Sequence, residues 1–271
     1  MTESTPARQT TTTSTSPLLS LRGIQKSFGA VHVLKGVNLD AWPGKVTALV
    51  GDNGAGKSTL IKGIAGIYSF DSGEYSFEGR SVSVHSPKDS NALGIEIVYQ
   101  DLALCDNLDV VQNMFLGRED HSGIILDELS MERRARETLD GLSVRTLQSV
   151  RTKVSSLSGG QRQTVAIAKS VLWNSKLVIL DEPTAALGVA QTEQVLNLVR
   201  RLADNGLAVI LISHNMNDVK QVSDSVAALY LGQMAAQVPA ASVTTGQIVE
   251  LITSGRSGDL GLRPEEREAL A

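Results

Sequence analysis

Residues 46–59 read Val46-Thr-Ala-Leu-Val50-Gly51-Asp52-Asn53-Gly54-Ala55-Gly56-Lys57-Ser58-Thr59. An apolar run of strand length leads into a glycine-rich turn that fits the pattern G-x-x-x-x-G-K-[ST], and a helical pattern follows. Glycines let the backbone wrap so that successive N–H groups point at phosphate oxygens, and the helix adds its positive end. Lys57 would supply a point charge to the β- and γ-phosphates, and the Ser58 hydroxyl would be a Mg²⁺ ligand. The stretch therefore predicts a phosphate-binding loop over residues 51–59.

A pair of acidic residues follows a second apolar strand. Residues 176–182 read Lys176-Leu-Val-Ile-Leu180-Asp181-Glu182. Parallel sheets bind their ligands beyond the carboxyl ends of the strands, where this pair would lie. Asp181 suits a Mg²⁺ role through water, and Glu182 suits the orientation or deprotonation of an attacking water. Taken alone, a solvated acidic turn at a strand end explains the pattern about equally well.

Short apolar runs alternate with helical patterns along most of the chain. Strands are predicted over 18–24, 37–42, 46–50, 75–77, 82–84, 95–99, 177–180 and 207–213. Helices are predicted over 57–66, 131–142, 162–173 and 190–204. This alternation predicts an α/β fold with a mostly parallel sheet covered on both faces, while 75–77 and 82–84 suggest short antiparallel strands.

The middle of the chain departs from this alternation. The mostly helical, charged stretch after residue 102 indicates an inserted helical subdomain over about 102–160. In the helix predicted over 190–204, the apolar residues share one face, and the charged side with Arg200 and Arg201 is predicted to point away from the core.

The composition is that of an ordinary globular protein, with 42% hydrophobic and 20% charged residues. A net charge of −4 provides no basic field for nucleic acid. The single cysteine, Cys105, excludes an intrachain disulfide and fits a reducing compartment. No apolar run reaches the roughly 18 residues that a membrane helix needs. We therefore expect the chain to stay in the cytosol and to reach a membrane only through a partner.

The two ends of the chain are predicted to lie outside the main domain. Residues 1–17 are rich in Thr and Ser and lack the apolar core of a secretory signal, which predicts a disordered lead-in. Residues 254–271 are polar and contain glycine, which predicts a flexible tail. One domain over 18–253 remains.

A third motif identifies the family. Leu157-Ser158-Gly159-Gly160-Gln161 lies between the phosphate-binding loop and the acidic strand, and a helical pattern follows it. In this setting the sequence resembles the nucleotide-binding domain of ABC transporters, whose signature is Leu-Ser-Gly-Gly-Gln. The resemblance covers about 18–253. It implies a P-loop NTPase of the ABC ATPase type, with a mostly parallel core sheet, an antiparallel β subdomain and an inserted α-helical subdomain.

The resemblance also implies what the motifs do. Mg-ATP would be bound and hydrolysed, and the signature residues Ser158, Gly159, Gly160 and Gln161 would hold the γ-phosphate that is bound on the opposing subunit. Small residues at a helix N-terminus form an anion site, so the implied role agrees with the chemistry of the motif.

Further residues match family positions in chain order. Gln100 matches the Q-loop glutamine that contacts Mg²⁺ or water, and His214 matches the switch histidine near the γ-phosphate. Phe28 matches the aromatic residue that stacks on adenine, with a core Phe at a strand end as the alternative. One position departs, because the aspartate usual in the D-loop is replaced by Gly188. That change bears on coupling between the two ATP sites, not on ATP binding.

Two stretches, 99–119 and 182–190, are similar to ATPases of simple-sugar importers of the ribose, xylose and fructose kind. This implies membrane permease subunits as partners, an extracytoplasmic sugar-binding protein as an indirect one, and a peripheral location on the cytoplasmic face of the inner or plasma membrane. Since the chain has room for one cassette, we expect it to pair with itself as a homodimer.

Three alternatives remain at this point. The chain could be the ATPase of an amino-acid or other small-solute importer, against which only the resemblance over 99–119 speaks. A stand-alone ABC ATPase acting on nucleic acid would need a basic face or a long coiled-coil insertion, and neither is visible. A nucleotide-binding regulator without turnover would not need Glu182 and His214.

Overall fold

The computed structural model describes residues 16–123 and 125–262. Its strands are β1 (Leu19–Phe28), β2 (Val31–Ala41), β3 (Val46–Gly51), β4 (Ser72–Phe77), β5 (Arg80–Ser81), β6 (Ile95–Val98), β7 (His121–Ser122), β8 (Ile125–Leu126), β9 (Leu177–Asp181), β10 (Ala208–Ile212), β11 (Ser225–Tyr230), β12 (Gln233–Pro239), β13 (Arg256–Ser257) and β14 (Leu260–Gly261). Its α-helices are α1 (Lys57–Ile64), α2 (Pro87–Ala92), α3 (Val110–Phe115), α4 (Glu128–Gly141), α5 (Gly159–Val171), α6 (Val189–Asp204), α7 (Met216–Val222) and α8 (Thr245–Ser254).

A six-stranded sheet in the order β12-β11-β3-β10-β9-β6 forms the centre of the molecule. Its pairs are parallel except for β11 with β12 at one edge. Both faces of this sheet are buried, which explains why its strands are nearly continuous apolar runs. In β9, Val178 and Leu180 pack with the helices, whereas Leu177 and Ile179 pack toward the antiparallel sheet. The predicted α/β fold with a mostly parallel sheet is confirmed.

An antiparallel sheet in the order β2-β1-β4-β5 covers one side of the phosphate-loop helix α1. Strand β1 runs four residues beyond the predicted strand end and carries Phe28 to the tip of the β1–β2 hairpin. The predicted strand over 82–84 is wrong, because β5 ends at Ser81. After one backbone bond from Val82 to Tyr75, the chain leaves the sheet edge and buries Val84 in the apolar core between the two sheets.

The predicted helical insertion contains α3 and α4, whose apolar faces pack with α5 and α6. It also contains the short hairpin β7–β8, which the helical pattern did not indicate. Inside it, Asn113 is fully buried and bonds to backbone groups of Cys105, Leu108 and Asp109. A buried amide is satisfied in this way by the loop that leads into its own helix.

The charged side of α6 is bonded to neighbouring segments of the chain. Arg200 and Arg201 do not simply face solvent, because Arg200 bonds to Asp224 at 2.8 Å and Arg201 bonds to the Leu142 carbonyl at 2.8 Å.

The first part of the predicted tail forms the hairpin β13–β14, closed by a bond from the Leu262 N–H to the Gly255 carbonyl. Residues 1–15 of the predicted lead-in and 263–271 of the tail lie outside the described residues.

No helix in the described stretches combines the length and apolar character required to cross a bilayer.

Candidate functional site

The carboxyl ends of four adjacent parallel strands meet at one edge of the central sheet. Ile212 of β10 pairs with Leu49 of β3 on one side and with Asp181 of β9 on the other. Val98 of β6 pairs with Leu180, so the residues after β6 emerge beside the acidic pair. The sheet therefore brings the phosphate-binding loop, Asp181, Glu182, His214 and Gln100 to one edge, although they are far apart in sequence.

Two positions of the phosphate-binding loop need glycine, one for its backbone conformation and both for lack of space. Gly56 has a φ of 105°, and a Cβ there would lie 2.9 Å from a Leu34 methyl carbon. A Cβ on Gly51 would lie 2.5 Å from the Leu229 carbonyl oxygen. Inside the loop, the Ala55 N–H donates to the Asp52 carbonyl at 3.1 Å. Asp52, Asn53, Gly54 and Ser58 are exposed, so the outer part of the loop is open to a ligand.

Lys57 begins α1 and folds back over this loop. Its ammonium donates to the Gly51 carbonyl at 2.7 Å and to the Asp52 carbonyl at 3.0 Å. Burial lowers the pKa of Lys57, and the negative charges of Glu182, Asp52 and Asp181 oppose that shift. The three carboxylates thus favour the charged ammonium, which burial disfavours.

Asp181, the last residue of β9, is half-buried. Burial raises the pKa of Asp181, the negative charge of Glu182 raises it further, and Lys57 and Lys62 lower it. Burial also raises the pKa of Tyr99, with the Asp181 charge adding to the shift. A carboxylate held in this way has a charge that its own surroundings do not fully compensate, which favours a cation beside it.

Glu182 is held in an unusual conformation beside His214. Its φ is 50°, which non-glycine residues rarely adopt, and its N–H donates to the Ile212 carbonyl at 3.1 Å. The Oε2 atom of Glu182 lies 2.8 Å from Nδ1 of His214. Because a carboxylate only accepts, the imidazole hydrogen is assigned to Nδ1 in this contact. The Glu182 side chain is 16% exposed and that of His214 is 77% exposed, so the imidazole faces outward.

Gln100 lies two residues beyond β6 and is exposed. Within the described chain its amide has no hydrogen-bond partner, so it is available to a ligand. Phe28 is 43% exposed at the hairpin tip and meets Tyr68 edge-on at 5.1 Å. The core position considered as its alternative is therefore wrong. Strand β2 of the same hairpin passes Gly56, which places the hairpin beside the phosphate-binding loop.

The signature residues lie elsewhere, at the start of α5. Ser158 and Gln161 form a capping box, with the Ser158 N–H donating to Gln161 Oε1 at 2.9 Å and the Gln161 N–H donating to Ser158 Oγ at 3.3 Å. A Cβ on Gly160 would lie 3.0 Å from Gln191 Cβ, and one on Gly159 would lie 3.3 Å from a Leu187 methyl carbon. In the described chain the two glycines contact α6 and its preceding turn, not the phosphate-binding loop.

The turn before α6 carries the departure at Gly188. Gly188 is the N-cap of α6, and its carbonyl accepts from the Thr192 N–H at 2.9 Å. Glycine is tolerated at an N-cap but provides no side-chain oxygen, which an aspartate would. The helix start is therefore retained without a carboxylate at this point.

One contact near the site was not indicated by the sequence patterns. Thr184 Oγ1 donates to Asp218 Oδ2 at 2.7 Å, and Asp218 is buried in α7. This bond joins the turn after Glu182 to the helix after His214. No short-range motif links residues that are 34 positions apart, so the pair could not be found from spacing.

Comparison with known proteins agrees with this geometry. Residues 34–185 match the family described as ABC transporter. The chain is 43% identical to the xylose/arabinose import ATP-binding protein XylG of Sulfolobus acidocaldarius, with 91% of this chain and 98% of that protein covered. It is 41% identical to the fructose import ATP-binding protein FrcA of Rhizobium meliloti, with 94% and 98% covered.

A solved structure of a nucleotide-free ATP-binding cassette from an ABC transporter has the same fold. Its TM-score is 0.77 at 25% identity, and the match covers 93% of this chain and 98% of that one. The chain therefore belongs to the ABC transporter family. It is an ATP-binding protein and an ATP hydrolase of the transport type, as the motifs predicted.

Proposed function

We propose that this chain energises the import of a simple sugar, a pentose or a hexose, through separate membrane permease subunits. The observation that carries this proposal is the identity of over 40% to two proteins named for xylose/arabinose and fructose import, along nearly their whole length. ATP hydrolysis at the edge of the central sheet would supply the free energy. An extracytoplasmic sugar-binding protein would be an indirect partner, and the chain would lie on the cytoplasmic face of the membrane.

Residues 51–59 would hold the phosphates of ATP. The backbone N–H groups of the loop and the start of α1 would donate to the phosphates, and Lys57 would supply the positive charge. Its ammonium, which bonds to two loop carbonyls, only has to exchange these carbonyls for phosphate oxygens. Phe28 would stack on the adenine ring from the hairpin beside the loop, because its ring is exposed and is supported edge-on by Tyr68.

The residues at the sheet edge also fit a Mg²⁺ ion. Magnesium is bound in proteins by one or two carboxylates or hydroxyls together with substrate phosphates and water. Asp181 offers a half-buried carboxylate, and Ser58 and Gln100 offer exposed oxygens on neighbouring elements. When bound, the ion would neutralise charge that develops on the transferred phosphoryl group.

Glu182 and His214 would act on the attacking water and the γ-phosphate. The carboxylate of Glu182 is the base or orienting group, and its contact with His214 fixes the imidazole ring. With the ring hydrogen of Nδ1 directed to Glu182, the outward Nε2 can accept a hydrogen bond from water. A bond to a phosphate oxygen would need a second hydrogen, on Nε2. Gln100 approaches the same edge from β6 and would sense both Mg²⁺ and the membrane partner.

The signature would act across a homodimer. Ser158, Gly159, Gly160 and Gln161 form a helix N-terminus suited to an anion, yet within the described chain Gly159 and Gly160 lie against Leu187 and Gln191, not against the phosphate-binding loop. A second copy of the chain would bring its signature to the phosphates of the first. Leu187, whose side chain lies beside Gly159, and Gly188 after it would lie at that interface.

The sugar assignment is tested by uptake. A strain that lacks this gene is complemented with the wild-type chain or with Glu182→Gln, and uptake of labelled pentoses, hexoses and amino acids is measured. We expect the wild-type chain to restore uptake of one simple sugar and Glu182→Gln to restore none. If the strain without the gene loses amino-acid uptake and keeps all sugar uptake, the proposed cargo is wrong. The assignment as an ATPase would be unaffected.

A further inference from the structure

A cavity lies at the boundary between the helical subdomain and the core, away from the nucleotide site. It has a volume of about 430 Å³ and is bounded by the segment that follows α4 and by side chains of α5 and α6. Its polar lining consists of Ser143, Arg145, Thr146, Thr164, Gln194, Asn197 and Arg201. Sites for small ligands have volumes of about 300 to 1,000 Å³, so the space is sufficient for one.

The charge of this cavity is opposite to that of the whole chain. Arg145 and Arg201 line it, whereas no Asp or Glu among the described residues does, although the net charge of the chain is −4. In the described residues neither arginine forms an ion pair with a carboxylate. Arg201 uses one nitrogen, Nη1, for the carbonyls of Leu142 and Ser143 and keeps its other donors open.

The remaining polar groups suit neutral hydroxyls. The amides of Gln194 and Asn197 are exposed on α6 and have no hydrogen-bond partner within the described chain. Each amide can both donate and accept, as can the hydroxyl group of a ligand. Two guanidinium groups beside two amides thus combine an anion-binding part with a part for hydroxyls.

We propose that this cavity binds a small phosphate ester that also carries hydroxyl groups, such as a sugar phosphate. Arg145 and Arg201 would hold the phosphate, because a planar guanidinium matches phosphate oxygens in a bidentate manner. Gln194 and Asn197 would contact the hydroxyls. The proposal does not depend on the transport cargo, since it rests only on the lining of the cavity.

The ligand would lie against the segment that holds the signature. The Gln161 side chain donates to the Thr146 carbonyl at 2.7 Å, and the same Gln161 caps the start of α5. Thr164, which lines the cavity, donates to the Gly160 carbonyl at 2.8 Å. A bound ester would therefore stabilise residues 142–146 in the conformation that anchors Gln161, which gives the cavity a regulatory connection to the ATPase.

Binding is tested on the full chain by isothermal titration calorimetry with ribose 5-phosphate. Saturating Mg-ADP is present throughout, so that the phosphate-binding loop is occupied and cannot take the ester. Separate titrations use inorganic phosphate and ribose. We expect one site for ribose 5-phosphate, weaker binding of inorganic phosphate and none of ribose. Inorganic phosphate that binds as tightly as the ester would refute the role of the amides.

Variants place the site. Arg145→Gln removes a guanidinium that has no partner in the described chain. We expect the affinity for the ester to fall about tenfold, as for the loss of one charge-assisted hydrogen bond. Arg133→Gln, on the exposed side of α4 and also without a carboxylate partner, is the matched control and should bind like wild type. Hydrogen exchange of residues 143–146 should slow when the ester is added. Absence of binding at millimolar ester, or equal binding by the two variants, would overturn the proposal.

Discussion

Lys57 is the residue on which nucleotide affinity should depend most, because its ammonium lies over the carbonyls of the phosphate-binding loop. Lys57→Ala removes that charge, and we expect ATP affinity to fall by about tenfold to a hundredfold, the value of one or more lost charge-assisted bonds. Titration of a fluorescent ATP analogue measures this. Lys88→Ala, an exposed lysine on α2, is the control and should bind normally. Unchanged affinity of Lys57→Ala would contradict the phosphate role.

Asp181, which we propose as a Mg²⁺ ligand, should lower the stability of the chain when no nucleotide is bound. Its folded pKa is raised by burial and by Glu182, so the charged form is disfavoured in the folded state. At neutral pH, Asp181→Asn therefore should raise the melting temperature in the absence of nucleotide. The gain is full above the folded pKa and disappears as the pH falls through it toward the ordinary value of 3.8.

Thermal unfolding at pH 8 and at mildly acidic pH tests this prediction, with the exposed Asp101→Asn as control. The same Asp181→Asn change should reduce Mg²⁺-dependent hydrolysis, as expected where a functional group is kept against stability. A gain in melting temperature that grows toward low pH would have the wrong sign. It would refute the claim that the buried charge of Asp181 destabilises the folded chain.

At the scale of elements, the bond between the turn after β9 and helix α7 should contribute to both stability and turnover. Thr184→Val removes the hydroxyl that bonds to buried Asp218 while keeping the shape of the side chain. We expect the free energy of unfolding to fall by about 1–3 kcal/mol, because a buried carboxylate loses a donor. Turnover should also fall, since this bond joins the segments that carry Glu182 and His214.

Denaturant unfolding and ATPase rates measure the two effects of Thr184→Val. Thr184→Ser keeps the hydroxyl and is the matched control, so it should remain close to wild type in both measurements. If the Val and Ser variants are equally stable and equally active, the bond to Asp218 contributes nothing to either property.

At the scale of the whole molecule, ATP should hold two copies together. Glu182→Gln keeps the size of the side chain but cannot act as a base, so hydrolysis should stop while ATP remains bound. Each bound ATP would then stay between the phosphate-binding loop of one copy and the signature of the other. We expect Glu182→Gln with Mg-ATP to elute as a dimer in size-exclusion chromatography, and to elute as a monomer without nucleotide.

The control is a second change in the same chain. Glu182→Gln combined with Ser158→Arg places a bulky cation at the start of α5 and should remain monomeric with ATP. Dimerisation of the double variant to the same extent as Glu182→Gln would show that the signature does not meet the nucleotide across the interface.

The short-range features were predictable because neighbouring residues determine them. The loop over 51–59 needs glycines at particular positions, and the apolar strands before it and before Asp181 are buried on both faces. The strand predicted over 82–84 does not form, although the stretch has a strand-like apolar pattern. The chain instead leaves the sheet and packs Val84 into the core. The hairpin β7–β8 was missed because two-residue strands carry no periodicity.

The sequence by itself determined the α/β class, the phosphate-binding loop, the acidic pair and the signature, since each depends on backbone conformation and spacing within a few residues. Only the tertiary structure decided which of these meet. The strand order places Gln100, Glu182 and His214 at one edge of the sheet. Ser158 lies apart from them, at the start of α5. Contacts such as Thr184 with Asp218, and the cavity with Arg145 and Arg201, join residues far apart in sequence. Such contacts arise from the packing of whole elements, which no local pattern encodes.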